Sequence, residues 1–254
     1  MYANFYYFPL MKIKLLFYFL FAIQSVYSQE KESFYVFDAD WKPTDVKSAK
    51  FILHVQNLND SSWQWDYYNM FGPLIKTEHY KNKDGQILHG SVAYYNANGF
   101  LDSTGSYANG KKEGDFVKYS EDSLEWLWEY KYHDDKLVEI IDAKKTDDLP
   151  YNSDPLEIES FYPGGIEEWQ KYLYKNFKYP DRAINNNIEG EVRVLFIVNN
   201  DGAIEDPYLS KSVEYSLDEE ALRIIKHSGK WIPAVKDGSK VKSVKSQPIA
   251  FKLK

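Results

Sequence analysis

The segment GEVRVLFIV, residues 190–198, decides the fold of the C-terminal part of this chain. Apolar side chains occupy both faces of its second half, which indicates a β-strand with neighbours on both sides. The sequence NDG at residues 200–202 follows it and predicts a turn into a second strand, Ile204–Ser212. We therefore expect Phe196 to lie in the core.

Helical patterns surround this strand pair. Gly165–Phe177 carries apolar residues at helical spacing, and Pro180 is placed to open a short helix that ends near Asn186. A third helix is predicted over Leu217–His227, with Trp231 as a core residue after it, and Val241–Leu253 is predicted as the closing strand. The order α-α-β-β-α-β describes a small αβ domain.

The central part of the chain is rich in tyrosine and punctuated by glycine. The dipeptides Asn98-Gly99 and Asn109-Gly110 favour tight hairpin turns. They separate runs that we predict as strands: Ser91–Asn96, Phe100–Tyr107, Gly114–Tyr119, Leu124–Tyr132 and Lys136–Ile141. The glycine and tyrosine pattern resembles the MORN-type repeats, which are open antiparallel β-sheet arrays. The predicted fold class is therefore α+β, with an antiparallel sheet of hairpin repeats before the αβ domain.

The N-terminus has the features of an export signal. Met11 is the expected true start, because basic residues follow it and an apolar run, Leu15–Val26, comes next. We predict a signal peptide at residues 1–28, a β-repeat domain at 29–141, a linker at 142–155 and a second domain at 156–254. The polar linker leads us to expect two independent folding units. The alternative for the N-terminus is an uncleaved membrane anchor.

Bulk composition excludes several classes of function. The net charge of −7 argues against a nucleic-acid partner, which is usually met by a basic surface. Cysteine is absent from the sequence, which excludes disulfides, thiolate metal sites and a lipidated cleavage site. The five histidines lack metal-ligand spacing, and no Gly-x-Ser-x-Gly motif occurs. We predict no enzymatic activity, no catalytic residue, no metal and no cofactor.

The C-terminal motifs resemble, in their order, the C-terminal domain of TonB proteins. They are FYPGG at 161–165, YPDRA at 179–183, the strand at 190–198, LDEEA at 217–221, WIPA at 231–234 and PIAFKL at 248–253. The resemblance implies a Gram-negative periplasmic protein linked to transmembrane transport. Its partner would be an outer-membrane TonB-dependent transporter, or another envelope protein, that adds an extended peptide to the edge strand. The resemblance also implies structural roles for Gly190, Asp201 and Gly202, and places the peptide at Tyr179, Pro180, Val241, Val244, Ile249, Phe251 and Leu253.

Other features leave alternatives open. The chain lacks the long proline-rich spacer of motor-coupled TonB proteins, which favours a binding or adaptor protein. A membrane-anchored energy transducer, with inner-membrane motor proteins as partners, is the alternative if the N-terminal segment is not cleaved. C-terminal lysines, from Lys236 to Lys254, either steer an acidic partner or protect an edge strand. The tyrosines of the repeat region either stack across strands or bind glycan, peptide or lipid head groups. A third hypothesis, a hydrolase or lyase that acts on a glycan, has only the aromatic richness of the chain in its favour.

Overall fold

A large antiparallel sheet forms the first unit of the protein. The computed structural model describes residues 32–121, 125–144 and 157–253. Ten strands follow one another in sequence order across the sheet, with the short β7 attached to β6. They are β1 Glu32–Phe37, β2 Phe51–Asn59, β3 Ser62–Asn69, β4 Leu74–Tyr80, β5 Leu88–Tyr95, β6 Leu101–Ala108, β7 Lys111–Lys112, β8 Gly114–Tyr119, β9 Trp126–His133 and β10 Lys136–Asp142.

The predicted turns occur where the backbone takes positive φ. Asn109 and Gly110 have φ of 54° and 83°, the left-handed conformation that both central residues of a tight hairpin turn need. Gly99 has φ of 80°. Each of the five strands predicted between residues 91 and 141 corresponds to an observed strand, within three residues at each end. The signal peptide and most of the predicted linker lie outside the described residues, and the resemblance to MORN repeats stays a prediction.

The second unit is a small αβ domain. Its elements are α1 Gly165–Asn176, α2 Asp181–Asn185, β11 Gly190–Val198, β12 Ile204–Lys211, α3 Tyr215–Lys226, β13 Ala234–Lys236, β14 Ser239–Val241 and β15 Ser243–Phe251. The sheet order β12-β11-β15 places β11 in the centre, as its two apolar faces predicted. The hairpin of β13 and β14 was not predicted. The α+β class is confirmed.

The core of this unit is aromatic. Phe196 is fully buried and Trp231 is 3% exposed, which confirms both as core residues. Their ring centroids lie 5.0 Å apart in an edge-to-face contact, and the indole of Trp169 lies 5.4 Å from that of Trp231. Gly202, with φ of 84°, approaches the Trp231 carbonyl too closely for any side chain. The turn after β11 therefore needs glycine at this position.

The two units share one hydrophobic core, which the sequence did not predict. Ile52, Tyr68 and Leu74 of the large sheet belong to the same buried cluster as Phe196 and Leu217. Backbone contacts reinforce this junction, because Ser212 N–H donates to the Gly99 carbonyl (2.8 Å) and Leu74 N–H donates to the Ser212 hydroxyl (2.8 Å). Separating the two units would expose this apolar surface to water. The expectation that they fold independently stays a prediction.

The helices of the described residues are short. The longest, α1 and α3, have 12 residues each. Neither these nor any other described helix has the length and apolarity that crossing a bilayer requires.

Candidate functional site

The closing strand β15 has one paired and one open edge. It pairs antiparallel with β11 through nine consecutive residue pairs, from Gly190 opposite Phe251 to Val198 opposite Ser243, without a bulge. Within the described ranges no strand pairs with its other edge, because β15 ends the three-stranded sheet. An open strand edge is the structural element to which an extended peptide adds by main-chain hydrogen bonds.

Proline in this strand identifies which backbone groups face outward. Pro248 has no N–H and lies opposite Arg193 of β11. Proline is accommodated in a strand where its nitrogen faces away from the neighbouring strand. Because N–H directions alternate along a strand, the amides of Ser246 and Ala250 face the same outer side as the Pro248 nitrogen. The outer edge therefore offers N–H donors at 246 and 250, separated by the proline.

Side-chain burial divides the predicted peptide residues of β15 into two groups. Ile249 is 2% exposed and Phe251 is fully buried, so both side chains belong to the core and do not face a ligand. Val244 is 41% exposed, and Ser246, Pro248 and Ala250 are exposed as well. A docked strand would therefore meet small and polar side chains on the exposed face of β15.

The ends of the predicted strand also differ from expectation. Val241 belongs to β14, where it pairs with Ala234 of β13, so the predicted single strand Val241–Leu253 is divided in two. Leu253 follows β15, and its N–H donates to the Glu189 carboxylate. Neither residue lies in the paired part of the edge strand.

Tyr179 and Pro180 lie at the C-terminal end of β15. The Tyr179 ring is 5.7 Å from the Phe251 ring in an edge-to-face contact, and its hydroxyl donates to the Ile188 carbonyl (2.7 Å). Pro180 precedes the first turn of α2, and its carbonyl accepts from Ile184 N–H (3.0 Å). The structure thus brings this segment next to the C-terminal end of the edge strand. Its place beside a docked peptide stays a prediction.

Positive charge accompanies the edge strand. Lys242 pairs with Glu205 of β12, with 2.8 Å between Nζ and Oε2. In the part of the chain that the structure describes, Lys240, Lys245 and Lys252 have no carboxylate partner within salt-bridge distance. On a chain of net charge −7 this cluster forms a local positive potential that favours approach of an acidic segment.

A second group of charged residues lies at the junction of the two units. The Asp218 carboxylate in α3 is fully buried and accepts from the Ser212 hydroxyl (2.5 Å) and from Val213 N–H (3.0 Å). Glu214, also fully buried, accepts from Arg182 Nε (2.6 Å), and Arg182 donates to the Met70 carbonyl of the large sheet. Sequence analysis did not identify this cluster, because Arg182 and Met70 lie far from Glu214 in the chain.

Burial shifts the pKa values of three side chains at this junction. It raises the pKa of the Asp218 carboxyl to about 8 and that of the neighbouring Glu219 to about 7. His54, stacked on Phe34 with ring centroids 4.3 Å apart, has its pKa lowered by burial. The two carboxyls bind a proton more tightly in the folded than in the unfolded chain, and His54 binds it less tightly.

These shifts predict a pH-dependent stability. The contribution of Asp218 and Glu219 is fully present below their unfolded pKa values, near about 4, and is lost as the pH rises through about 7 to 8. We therefore expect the melting temperature to fall between about pH 7.5 and 9, a window in which unfolded-state His54 is largely neutral. Asp218→Asn should flatten this dependence, and Asp218→Asn with Glu219→Gln should flatten it further. Melting curves with the same pH slope in parent and both variants would contradict this assignment.

The other predicted features are structural where they are described. Gly190 lies against the Val213 side chain, which leaves no room for a Cβ, and Asp201 is an exposed turn residue whose N–H donates to Asn199. Among residues 32–121, 125–144 and 157–253, no three His, Asp or Glu side chains are grouped to hold a metal ion. The expectation that the chain is not an enzyme stays a prediction.

Comparisons with known proteins concern the C-terminal unit. Residues 175–253 match the family model described as Gram-negative bacterial TonB protein C-terminal. An NMR solution structure of the Helicobacter pylori TonB C-terminal domain is 32% identical, with 35% of this chain and 80% of that chain covered and a TM-score of 0.29. A shorter NMR structure of the same domain is 28% identical, with 34% and 91% covered and a TM-score of 0.27. None of the curated proteins matches this chain.

Proposed function

From the premise that residues 175–253 belong to the TonB C-terminal family, we propose that this protein is a periplasmic adaptor that binds an extended peptide along the outer edge of β15. Domains of this family act in the Gram-negative envelope and interact with outer-membrane transporters. The partner proposed here is accordingly an outer-membrane transporter, or another envelope protein, that presents an unfolded segment.

The observation that carries the proposal is the open edge of β15. Its neighbour β11 fixes the strand through nine residue pairs, so the edge is held rigid before a peptide arrives. A preformed edge lowers the ordering cost of binding, because only the incoming peptide loses conformational freedom. The lysines beside the strand favour a peptide that carries acidic residues.

The role of the large sheet in this proposal is to support the TonB-like unit. It packs on α3 and on the end of β12, while β15 lies at the opposite edge of the small sheet. In the described residues the outer edge of β15 is therefore on the side of the small sheet away from β12 and from the large sheet's contact with it.

Amide exchange along β15 tests the proposal at single residues. We expect the amides of Ser246 and Ala250 to exchange rapidly in the free protein, because they face the outer edge. The amides of Gln247 and Ile249, which face β11, should be protected with or without ligand. Addition of synthetic peptides from the periplasm-facing N-terminal segments of outer-membrane transporters should protect Ser246 and Ala250 selectively.

Modified peptides supply the control for this experiment. N-methylation removes a main-chain donor, so methyl groups at alternate peptide positions that face β15 should abolish protection. Methyl groups at the intervening positions, which face solvent, should leave it unchanged. If binding peptides protect another surface and leave Ser246 and Ala250 unchanged, strand addition at β15 is wrong. Ile249→Pro is not a suitable probe, since the Ile249 side chain is in the core.

A further inference from the structure

The last strand of the large sheet, β10, leaves most of its side chains exposed. It ends the strand order of this sheet, and within the part of the chain that the structure describes no strand pairs with its outer edge. Five of its seven side chains are exposed. Three of them are large and apolar: Leu137 is 46%, Val138 63% and Ile140 54% exposed. An exposed apolar edge strand is a site to which another strand can add.

The backbone of β10 offers hydrogen-bonding groups along this edge. Ala143 N–H, directly after the strand, donates to the Leu127 carbonyl of β9 (3.1 Å) and therefore faces inward. Because N–H directions alternate along a strand, the Ile140 amide faces the outer edge. Val138 is the extra residue of a β-bulge in the pairing of β10 with β9. The edge thus presents main-chain groups next to exposed apolar side chains.

The opposite edge of the large sheet is partly covered. At the outer edge of β1, Pro43 forms a bridge with Phe37, and Thr44 N–H donates to the Val36 carbonyl (3.2 Å). The loop after β1 therefore occupies the C-terminal end of this strand. A strand as long as β10 cannot pair along the whole of β1, which disfavours a head-to-tail contact between β10 of one molecule and β1 of the next.

The sequence of β10, KLVEIID at residues 136–142, complements itself when two copies run antiparallel. If Glu139 lies opposite Glu139 of a second copy, Lys136 lies opposite Asp142 at both ends of the pair. The apolar residues at 137 and 138 then lie opposite those at 141 and 140. Apolar and oppositely charged cross-strand pairs stabilise a sheet. A parallel arrangement in register would instead place each charged residue beside its own copy.

The charged residues of β10 select this arrangement over others. Two Glu139 side chains in opposite positions repel each other. Each is neutralised within its own molecule, because Lys131 Nζ of β9 lies 3.1 Å from Glu139 Oε2. Charges and bulges are means by which sheet edges avoid pairing with arbitrary strands. A second β10 carries the matching charges at its ends, whereas an arbitrary strand does not.

We propose that β10 is a dimerisation edge, at which two copies of this chain pair antiparallel and join their large sheets. A contact with two-fold symmetry closes on itself, so the assembly stops at two copies. One strand from each copy forms a small interface, and we expect a reversible monomer–dimer equilibrium. The β15 edge belongs to the other sheet, so dimerisation does not depend on peptide binding there.

Sedimentation equilibrium of the chain without its predicted signal peptide tests the proposal. The average mass should rise from monomer towards dimer with concentration. Val138→Lys and Ile140→Lys should each weaken dimerisation at least about tenfold, because each substitution enters the dimer twice. Both side chains are exposed, so the monomers should keep the melting temperature of the parent. Ile166→Lys, at an exposed isoleucine of α1, is the matched control and should leave dimerisation unchanged.

A charge exchange tests the antiparallel orientation. Lys136→Glu places a carboxylate opposite Asp142 at both ends of the dimer and should weaken it. Asp142→Lys alone should weaken it as well, whereas the two substitutions in one chain restore opposite charges and should restore dimerisation. If the double variant is as weak as the single variants, the proposed arrangement is wrong.

Disulfide formation tests the register, since the chain contains no cysteine. Glu139 faces β9 with its own N–H, so in the dimer it and its counterpart form a pair without main-chain hydrogen bonds. The Cα atoms of such a pair are about 4.5 Å apart, a distance that a disulfide spans. Glu139→Cys should therefore form a covalent dimer on mild oxidation, and Tyr174→Cys should not.

Several results would overturn the proposal. They are a mass that stays monomeric at every concentration, dimers that form equally in Val138→Lys and the parent, and a covalent dimer of Ser246→Cys in β15 without one of Glu139→Cys. Protection of the Ile140 amide from hydrogen exchange that does not depend on protein concentration would show that another segment of the same chain covers the edge, which also overturns it.

Discussion

Replacing Arg182 with methionine is expected to lower the free energy of unfolding by about 3 kcal/mol, because it leaves the Glu214 carboxylate buried without its cation. Glu214 is fully buried and Arg182 Nε lies 2.6 Å from its Oε1. The same guanidinium donates to the Met70 carbonyl of the large sheet, so the variant also weakens the junction of the two units. Urea denaturation followed by circular dichroism measures the loss.

Two further variants distinguish the buried charge from the loss of packing. Glu214→Gln added to Arg182→Met removes the uncompensated charge and should recover part of the stability. Arg193→Met breaks the pair with Glu191, in which both side chains are more than a third exposed, and should cost no more than about 1 kcal/mol. If Arg182→Met and Arg193→Met lower the free energy of unfolding by the same amount, burial of Glu214 does not determine the loss of stability.

Local patterns predicted most elements of this fold. The two apolar faces of residues 190–198 indicated a central strand, and Asn109-Gly110 indicated a hairpin turn, because each depends on residues close together in the chain. The hairpin of β13 and β14 was missed since Lys236 to Val241 is polar and short. The signal at Asp237-Gly238, which turns the hairpin with φ of 50° and 68°, was present in the sequence.

Long-range features were less accessible from the sequence. The predicted peptide residues Ile249 and Phe251 alternate along β15 with exposed neighbours. Such alternation shows that one face of a strand is buried, but it does not say which face a helix covers. The common core of the two units depends on Ile52 and Tyr68 meeting α3, which lies about 150 positions further along the chain. The polar segment after β10 indicated a boundary between the large sheet and the αβ domain. A polar segment of this kind carries no information about whether the two units pack against each other.

Replacing Phe196 with alanine tests the common core most directly. The side chain is fully buried and contacts Trp231, so its truncation should cost about 3–5 kcal/mol. Because Phe196 belongs to the same buried cluster as Ile52 and Tyr68 of the large sheet, amides of β2 and β3 should lose protection in hydrogen exchange together with those of β11. Tyr174→Ala, at a residue 94% exposed, is the control and should change stability by less than about 0.5 kcal/mol. If β2 and β3 keep their protection while β11 unfolds, the two units are energetically independent despite their contact, and the junction carries no coupling.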